Sequence, residues 1–424
     1  MSGIRAPRVK RARWSAGAGL RPFAGPATVA LGTAVLAPSA YLAALSLAAL
    51  RRPRAGGLVI GVAPRLVVLV PAHDEELLLG RCLDSLAAQS YPRECYRVMV
   101  IADNCTDGTA VVAAGRKVEV LSRTNADERG KGYALRWAMD TILASGEPFD
   151  AFVVVDADSV TDQDLLSGLA AALTSGADAV QGDYLALDEP APRAGTGGRA
   201  RLRSAAFLLF HRARFTGRAN LGLPCSLVGN GMLFSRRLVE NVPWSAYSRA
   251  EDLEYSVDLR LRGVRPVFAP QARVQAPVST LGGAARTQRR RWEGGRAEVV
   301  RTRLPRLVRS MVRDRRWDLW DAAADLAVPP LGVLAALVAA GGTAGLALRA
   351  VRGVHTRHLL PWAAAAVALP VHVLVGLRAA GAPAETFRAL LAAPALVGSE
   401  LPTRLGLLRR DLDPAWERTA RTAG

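Results

Sequence analysis

Residues 152–158 have the sequence FVVVDAD, in which four apolar residues lead directly into two carboxylates one residue apart. A short continuous apolar run of this kind is typical of a strand buried on both faces, as in a parallel sheet. Carboxylates just beyond such a strand lie at the edge where open α/β sheets bind ligands. The spacing allows Asp156 to face a ribose and Asp158 to face a divalent ion that bridges phosphate oxygens. The stretch predicts an α/β fold with a phosphate-handling edge.

Two upstream apolar runs, LVVLVP at 66–71 and VMVIAD at 98–103, have the same form, and a third predicted strand falls near 117–121. Helical stretches separate these runs. Between about residues 65 and 269 this alternation predicts a mostly parallel sheet covered by helices on both faces.

Polar residues follow the first two strands at the predicted ligand-binding edge. The first strand ends at Pro71, and His73 and Glu75 follow in a loop where a nucleotide base or ribose can dock. The second ends at Asp103, whose carboxylate suits ribose hydroxyls or a uracil N–H. The alternative for the loop after Asp103 is that its polar residues only cap the next helix.

Three later segments carry charge suited to an anionic ligand, and each also has a plainer explanation. Lys131 begins a predicted helix, where it can contact an anionic donor substrate. The alternative is that it is only a solvent-exposed residue at a helix start. Glu251 and Asp252 begin another predicted helix. A carboxylate there can serve as a catalytic base, or it can simply interact favourably with the helix dipole. QRRRW at 288–292 combines guanidinium charge with an indole ring, or else is an arginine-rich surface strip.

The order of these segments resembles the family 2 glycosyltransferases, membrane-integrated inverting enzymes that include the cellulose, chitin and hyaluronan synthases. The resemblance covers about residues 65–300 and implies a GT-A-type nucleotide-binding domain. It also implies that Asp103 and Asp156 contact the nucleotide, that Asp158 holds Mg²⁺ or Mn²⁺, and that Asp252 is the catalytic base beside Glu251. The residues it implies at the mouth where acceptor and diphosphate meet are Gln288, Arg291 and Trp292.

The resemblance implies transfer of a sugar from a nucleotide-sugar donor, with a UDP-sugar favoured over a GDP-sugar. The acceptor would be lipid-linked or a growing saccharide. The chain departs from the family pattern at Ala250, where threonine is usual. It departs again at residues 229–232 (GNGM), where the polymer synthases have a Phe-Cys-Gly segment. The second departure weighs against processive synthesis more than against glycosyl transfer.

Two other functional classes remain as alternatives. A nucleotidyl- or phosphoryltransferase uses the same pair of carboxylates but needs neither a later base nor an Arg-Trp cluster. A non-catalytic membrane subunit of a polysaccharide export system would not need the carboxylates at 103, 158 and 252, and all three are present. An enzyme that requires a partner membrane subunit is a further possibility.

The net charge of +18 suits nucleic acid, an anionic lipid surface or an anionic substrate. No nucleic-acid-binding motif accompanies it, so nucleic acid is not an expected partner. The four cysteines lack metal-ligand spacing and are predicted to be free thiols, as in a reducing compartment.

Three segments are apolar enough to cross a bilayer, at 27–50, 326–348 and 359–377. The first could instead be a re-entrant hairpin broken at Pro38, or a cleaved signal peptide, although it is long for one and lies far from the start. A shorter apolar piece at 389–398 is expected at the membrane interface. The sequence therefore predicts a multi-pass protein of the cell membrane with a cytoplasmic catalytic domain.

The predicted organisation has four further parts. Residues 1–26 are basic and expected to be disordered, residues 60–296 form the catalytic domain, and residues 384–424 form a basic tail. Residues 303–320 place apolar side chains on one helical face and arginines on the other, which is typical of an interfacial helix. An ordinary amphipathic helix packed on the catalytic domain is the alternative.

Overall fold

The computed structural model describes residues 21–51, 62–187, 197–277 and 282–394, together with residue 398. Most of the predicted basic N-terminus and nearly all of the basic tail beyond residue 394 lie outside the described residues. The described ranges hold one eight-stranded sheet, helices on both of its faces, and three long apolar helices.

The strands are β1 (Leu66–Ala72), β2 (Tyr96–Asp103), β3 (Glu119–Arg123), β4 (Ala151–Val154), β5 (Val160–Thr161), β6 (Ala179–Ala186), β7 (Met232–Ser235) and β8 (Val267–Ala276). Their order across the sheet is β3-β2-β1-β4-β7-β6-β8-β5. The pairs β2–β3, β1–β2, β1–β4 and β6–β8 are parallel, whereas β7 runs antiparallel between β4 and β6. The predicted mostly parallel α/β sheet is confirmed.

The helices are α1 (Arg21–Ala49), α2 (Leu79–Ala87), α3 (Thr109–Gly115), α4 (Lys131–Ala144), α5 (Leu165–Thr174), α6 (Gly197–Leu208), α7 (Arg214–Asn220), α8 (Arg236–Asn241), α9 (Glu251–Leu261), α10 (Gly282–Arg313), α11 (Trp320–Ala327), α12 (Leu331–Arg352), α13 (Leu360–Ala379) and α14 (Ala384–Ala389). A π-helical turn, Leu209–Ala213, joins α6 to α7.

Two predicted strands differ in their bounds. The strand predicted at 117–121 begins at Glu119, because Lys117 takes a left-handed φ of 56° and ends the preceding turn. The strand predicted over 152–158 ends at Val154, so both carboxylates of this segment lie in the turn beyond it. The ligand-binding edge therefore begins where the hydrogen-bonded ladder stops.

The apolar runs bury side chains on both faces of the sheet. In β1, Leu66, Val68 and Val70 pack on the side covered by α2 and α5. Val67 and Leu69 alternate with them and pack on the side covered by α4 and α9. This period-two alternation, with no polar side chain on either face, explains why the run looks continuous in the sequence.

Three helices are long and apolar enough to span a membrane, at Ala24–Ala49, Leu331–Arg352 and Thr356–Ala379. The first is continuous through Pro38, so the suggested re-entrant hairpin is wrong. A proline in a helix removes one backbone hydrogen bond. Here packing along α13 keeps the helix intact, and the Trp362 indole donates to the Thr28 carbonyl at 3.0 Å.

The structure does not contain the single helix predicted at 303–320. Its first part is the end of α10, and the chain turns after Arg313, where Arg315 has a left-handed φ of 55°. Leu307 is fully buried against α9 and α11, as in the alternative of packing on the catalytic domain. Val312 and Trp317 stay exposed, and their placement at a membrane interface stays a prediction.

Candidate active site

A cleft of about 650 Å³ opens at the carboxyl ends of β1 and β2. It brings together five of the predicted site residues from four separate segments of the chain. They are Pro71, His73, Asp103, Lys131 and Arg291. Glu75 does not line this cleft; its backbone N–H donates to the Thr109 hydroxyl at 2.8 Å.

Asp103 is 5% exposed and is held from one side. Arg123, at the end of β3, donates to its Oδ1 atom at 2.8 Å, and the Asn104 amide donates to the same oxygen at 3.0 Å. The His73 ring nitrogen Nδ1 lies 2.8 Å from the Asp103 carbonyl oxygen. Within the described residues, the Oδ2 atom has no protein donor. The role of Arg123 was missed in the sequence, where an arginine at a strand end gives no signal.

The Asp156-Ala157-Asp158 turn is held by a buried amide. The Asn230 Oδ1 atom accepts the Asp156 N–H at 3.2 Å, and its Nδ2 atom donates to the Ser159 hydroxyl at 2.8 Å. Gln181 in turn donates to the Asn230 carbonyl at 2.7 Å, and both amides are fully buried. Asn230 therefore holds the turn that carries both carboxylates, a role that the sequence did not reveal.

Lys131 joins the two acidic segments. Its Nζ atom donates to the Asp156 carboxylate and, at 2.5 Å, to the Gly229 carbonyl. Burial lowers the pKa of Lys131, but attraction from Asp156 and Glu251 outweighs it and the net pKa is raised. The ammonium group therefore stays charged between Asp156 and the Glu251-Asp252 pair.

Two glycines allow this close arrangement. Gly132 packs so closely that a Cβ there would lie 2.2 Å from the Ala246 carbonyl oxygen. Gly229 has φ +83°, and a Cβ there would lie 3.0 Å from Asp252 Oδ2 and 3.6 Å from Lys131 Nζ. The Gly229 backbone thus lies against both charged groups.

Glu251 and Asp252 form the first turn of α9, as the helix-start explanation requires, and the base role stays a prediction. Burial raises the pKa of Glu251 to about 7, repulsion from Asp252 adds to the shift, and Lys131 opposes it. Burial also raises the pKa of Asp252, although its Oδ1 atom accepts the Leu253 N–H at 2.7 Å. The two carboxyls share a buried site in which one proton is retained up to near-neutral pH.

We expect the rate of sugar transfer to rise as pH increases through about 7. The carboxyl pair must lose its shared proton before Asp252 can accept one from an acceptor hydroxyl. The check is kcat measured from about pH 5.5 to 8.5. Glu251→Gln should move the midpoint to lower pH, because the repulsion on Asp252 is removed. A flat profile would contradict the assignment.

The QRRRW segment lies on α10 beside the start of α9. Gln288 is buried, Arg291 lines the cleft and Trp292 is 39% exposed. A Cβ on Gly295 would lie 3.0 Å from the Ala250 backbone nitrogen, so the two helices touch here. The alternative of an arginine-rich surface strip does not describe Gln288 or Arg291.

The donor set around Asp158 suits a hard divalent ion. Asp158 is half-buried, and Asp156 is paired with Lys131. Oxygen ligands of this kind suit Mg²⁺ or Mn²⁺, which normally take further oxygens from phosphate and water. Asp74, Cys105 and Asp107 also come together in the loops after β1 and β2. Their carboxylates accept the Thr106 and Thr109 N–H groups and already stabilise those loops.

A family model described as "Glycosyltransferase like family 2" matches residues 64–295. The chain belongs to this family. The matched residues contain every strand and all of the candidate site residues, so family membership and site geometry rest on the same part of the molecule.

Two curated relatives have related sequences. The beta-monoglucosyldiacylglycerol synthase of Synechocystis is 28% identical over 242 residues, which are 55% of this chain and 48% of the relative. The probable glycosyltransferase YdaM of Bacillus subtilis is 24% identical over 244 residues, 56% of each chain. The chain thus spans about half the length of the curated relatives it matches.

Among solved structures, the mannosyltransferase PcManGT from Pyrobaculum calidifontis, in complex with GDP-Man and Mn²⁺, has a TM-score of 0.51 and 20% identity. The match covers 81% of this chain and 98% of that one. It shows that the fold is of the predicted GT-A type.

Proposed function

We propose that this protein is a membrane-bound inverting glycosyltransferase that moves a sugar from a nucleotide-sugar to a lipid-linked or saccharide acceptor. The observation that carries the proposal is the meeting of Asp156 and the Glu251-Asp252 pair at Lys131. In the proposed mechanism, Asp156 binds the donor and Asp252 is the base, and Lys131, which lines the cleft, lies close to both. A nucleotidyl- or phosphoryltransferase does not require a base such as the Glu251-Asp252 pair.

The proposed reaction is a single displacement at the anomeric carbon. Asp252 accepts the proton of the acceptor hydroxyl as that oxygen attacks. Arg291, which lines the cleft, stabilises the charge that develops on the leaving diphosphate, and Lys131 adds a second positive charge nearby. A Mg²⁺ or Mn²⁺ ion held by Asp158 would neutralise the same diphosphate. The presence of Mn²⁺ in the mannosyltransferase of the same fold supports this metal class.

The surroundings of Asp103 favour a uracil base over guanine. Its Oδ1 atom is taken by Arg123 and Asn104, which leaves one carboxylate oxygen to face the cleft. Uracil offers one ring N–H to such an acceptor, whereas guanine offers an N–H and an amino group side by side. A guanine would therefore bury one donor without a partner, which costs about 1–3 kcal/mol.

We expect UDP to bind at least about tenfold more tightly than GDP, as measured by calorimetry on the full chain with Mn²⁺. Arg123→Met removes one of the two donors to the Oδ1 atom and should narrow the ratio. Arg93→Met, at the opposite end of β2 from Asp103, should leave the ratio unchanged. Equal affinities in the unmodified protein would show that Asp103 does not select the base.

The acceptor is proposed to be a lipid or a lipid-linked saccharide, reached from the membrane. Three helices can span a bilayer. The catalytic domain lies between the end of α1 and the start of α12 in the chain, so both helices enter the bilayer from the side on which this domain lies. We propose that this is the cytoplasmic side of the cell membrane. The name of the Synechocystis relative indicates a diacylglycerol glycolipid product, which supports the lipid class.

The function is tested by release of free UDP or GDP from a panel of nucleotide sugars, using membranes that contain the full chain. We expect metal-dependent release from one donor, stimulated by lipid extract. Release of inorganic pyrophosphate or of a nucleoside monophosphate would favour the nucleotidyl- or phosphoryltransferase alternative. If no donor in the panel releases UDP or GDP although the protein is shown to be folded, the result would point to a required partner subunit or to the non-catalytic alternative.

A further inference from the structure

A buried group of charges lies beneath the candidate site, on the far side of α9. Arg214 and Arg218 on α7 and Arg260 on α9 face Asp321 and Asp325 on α11. Each of the five residues is at most 6% exposed. The group is thus closed off from water and is treated below as one unit, the buried charge cluster.

The buried charge cluster carries a surplus of one positive charge, because three guanidinium groups face two carboxylates. Among its neighbours, the Asp318 carboxylate acts on Arg260, but it is exposed and already paired with Arg316 at 2.8 Å. Arg296, which is half-buried, adds positive charge and donates to the carbonyl of Leu326 at 2.9 Å. Burial raises the pKa of the neighbouring Cys225 to about 12, so this thiol is neutral. An unbalanced buried charge is costly unless an opposite charge accompanies it.

Within the buried charge cluster, Arg260 has hydrogen-bond donors that lack acceptors among the described residues. Its Nη2 atom donates to Asp321 Oδ1 at 2.9 Å and to the Asp318 carbonyl at 2.7 Å. Its Nε and Nη1 atoms are buried and have no hydrogen-bond partner within the described residues. By contrast, Arg218 uses Nε, Nη1 and Nη2, on Pro224, Tyr41 and Asp321 respectively.

A small cavity adjoins the Arg260 side chain. Its lining includes Arg218, Ser226 and Arg260, together with Leu253, Ser256 and Val257 from the same face of α9. Its free space is about that of one water molecule. The Ser256 hydroxyl, whose oxygen accepts the Leu227 N–H at 3.2 Å, can donate into the same space.

We propose that this cavity is a binding site for a small monovalent anion, and specifically for chloride. One chloride would offset the surplus charge of the buried charge cluster itself and accept hydrogen bonds from Arg260 Nε and Nη1. The ion would lie against Leu253, the residue after the proposed base, and would fix α9 to α11 from below. This inference is independent of the sugar-transfer proposal, because binding is measured without any donor or acceptor.

The test measures thermal unfolding of the full chain in detergent micelles, dialysed into sodium gluconate and titrated with sodium chloride at constant ionic strength. We expect a saturable rise of about 2–4 °C when chloride reaches about five times its dissociation constant. Bromide should act similarly. Identical unfolding in gluconate and chloride would overturn the proposal and assign the cavity to water.

Arg260→Gln should abolish the chloride response, whereas Arg237→Gln, a change to an exposed arginine on α8, should preserve it. Because Arg260 is buried and its loss removes hydrogen bonds to Asp321 and to the Asp318 carbonyl, that variant can fail to fold. A second measurement therefore uses the unmodified protein, in which equilibrium dialysis with radiolabelled chloride should find one ion bound per chain. Absence of saturable binding would overturn the proposal whatever the variants do.

Discussion

Replacing Asp252 with asparagine is expected to lower the rate of sugar transfer by about 10²–10⁴-fold while leaving donor binding nearly unchanged. Asparagine keeps the size and the acceptor oxygen that receives the Leu253 N–H, but it cannot take a proton from the acceptor hydroxyl. The measurements are kcat from nucleotide release and the dissociation constant of UDP. A large fall in kcat with a steady dissociation constant would identify the base.

The matched control is Asp140→Asn on α4, where the carboxylate forms an exposed i, i+4 pair with Arg136. Such surface pairs contribute little to stability, so this variant should retain full activity. Normal turnover by the Asp252→Asn variant would show that the proton is accepted elsewhere. Equal losses of donor binding and turnover would indicate that the substitution disturbs Lys131 rather than the base step.

Replacing Asp158 with asparagine is expected to lower kcat by about 10²–10³-fold and to remove the dependence of donor binding on Mn²⁺. A neutral amide is a much weaker ligand for a hard divalent ion than a carboxylate is. The measurement is UDP affinity titrated against Mn²⁺ concentration. Asn230 still holds the turn through Asp156 and Ser159, so the fold of the site should persist.

Asp164→Asn is the matched control for this second variant. Asp164 lies six residues further along the chain and accepts the Ser90 hydroxyl at 2.8 Å, away from the cleft. The Asp164→Asn variant should show the same dependence of UDP affinity on Mn²⁺ concentration as the unmodified protein. If the Asp158→Asn variant retained the titration of the unmodified protein, another group would have to hold the metal.

The sequence allowed the sheet and its ligand-binding edge to be predicted because both depend on local patterns. Continuous apolar runs indicated strands buried on two faces, and the residues that follow such strands meet at one edge of a parallel sheet. Pro71, Asp103 and Asp156 were located in this way. The mistakes came where local patterns were weaker than packing, as at Pro38, where a helix packed along α13 continues through a proline.

The sequence by itself determined the fold class, the three apolar helices and the identity of the carboxylates at the site. Only the tertiary structure decided which charges meet. Arg123 donates a hydrogen bond to Asp103, and Asn230 holds the turn of Asp156. Lys131 lies between that turn and the Glu251-Asp252 pair. The hydrogen-bonded partners among them are separated by between 20 and 74 residues and have no shared periodicity. Their pairing follows from strand order and helix packing, which no local pattern encodes.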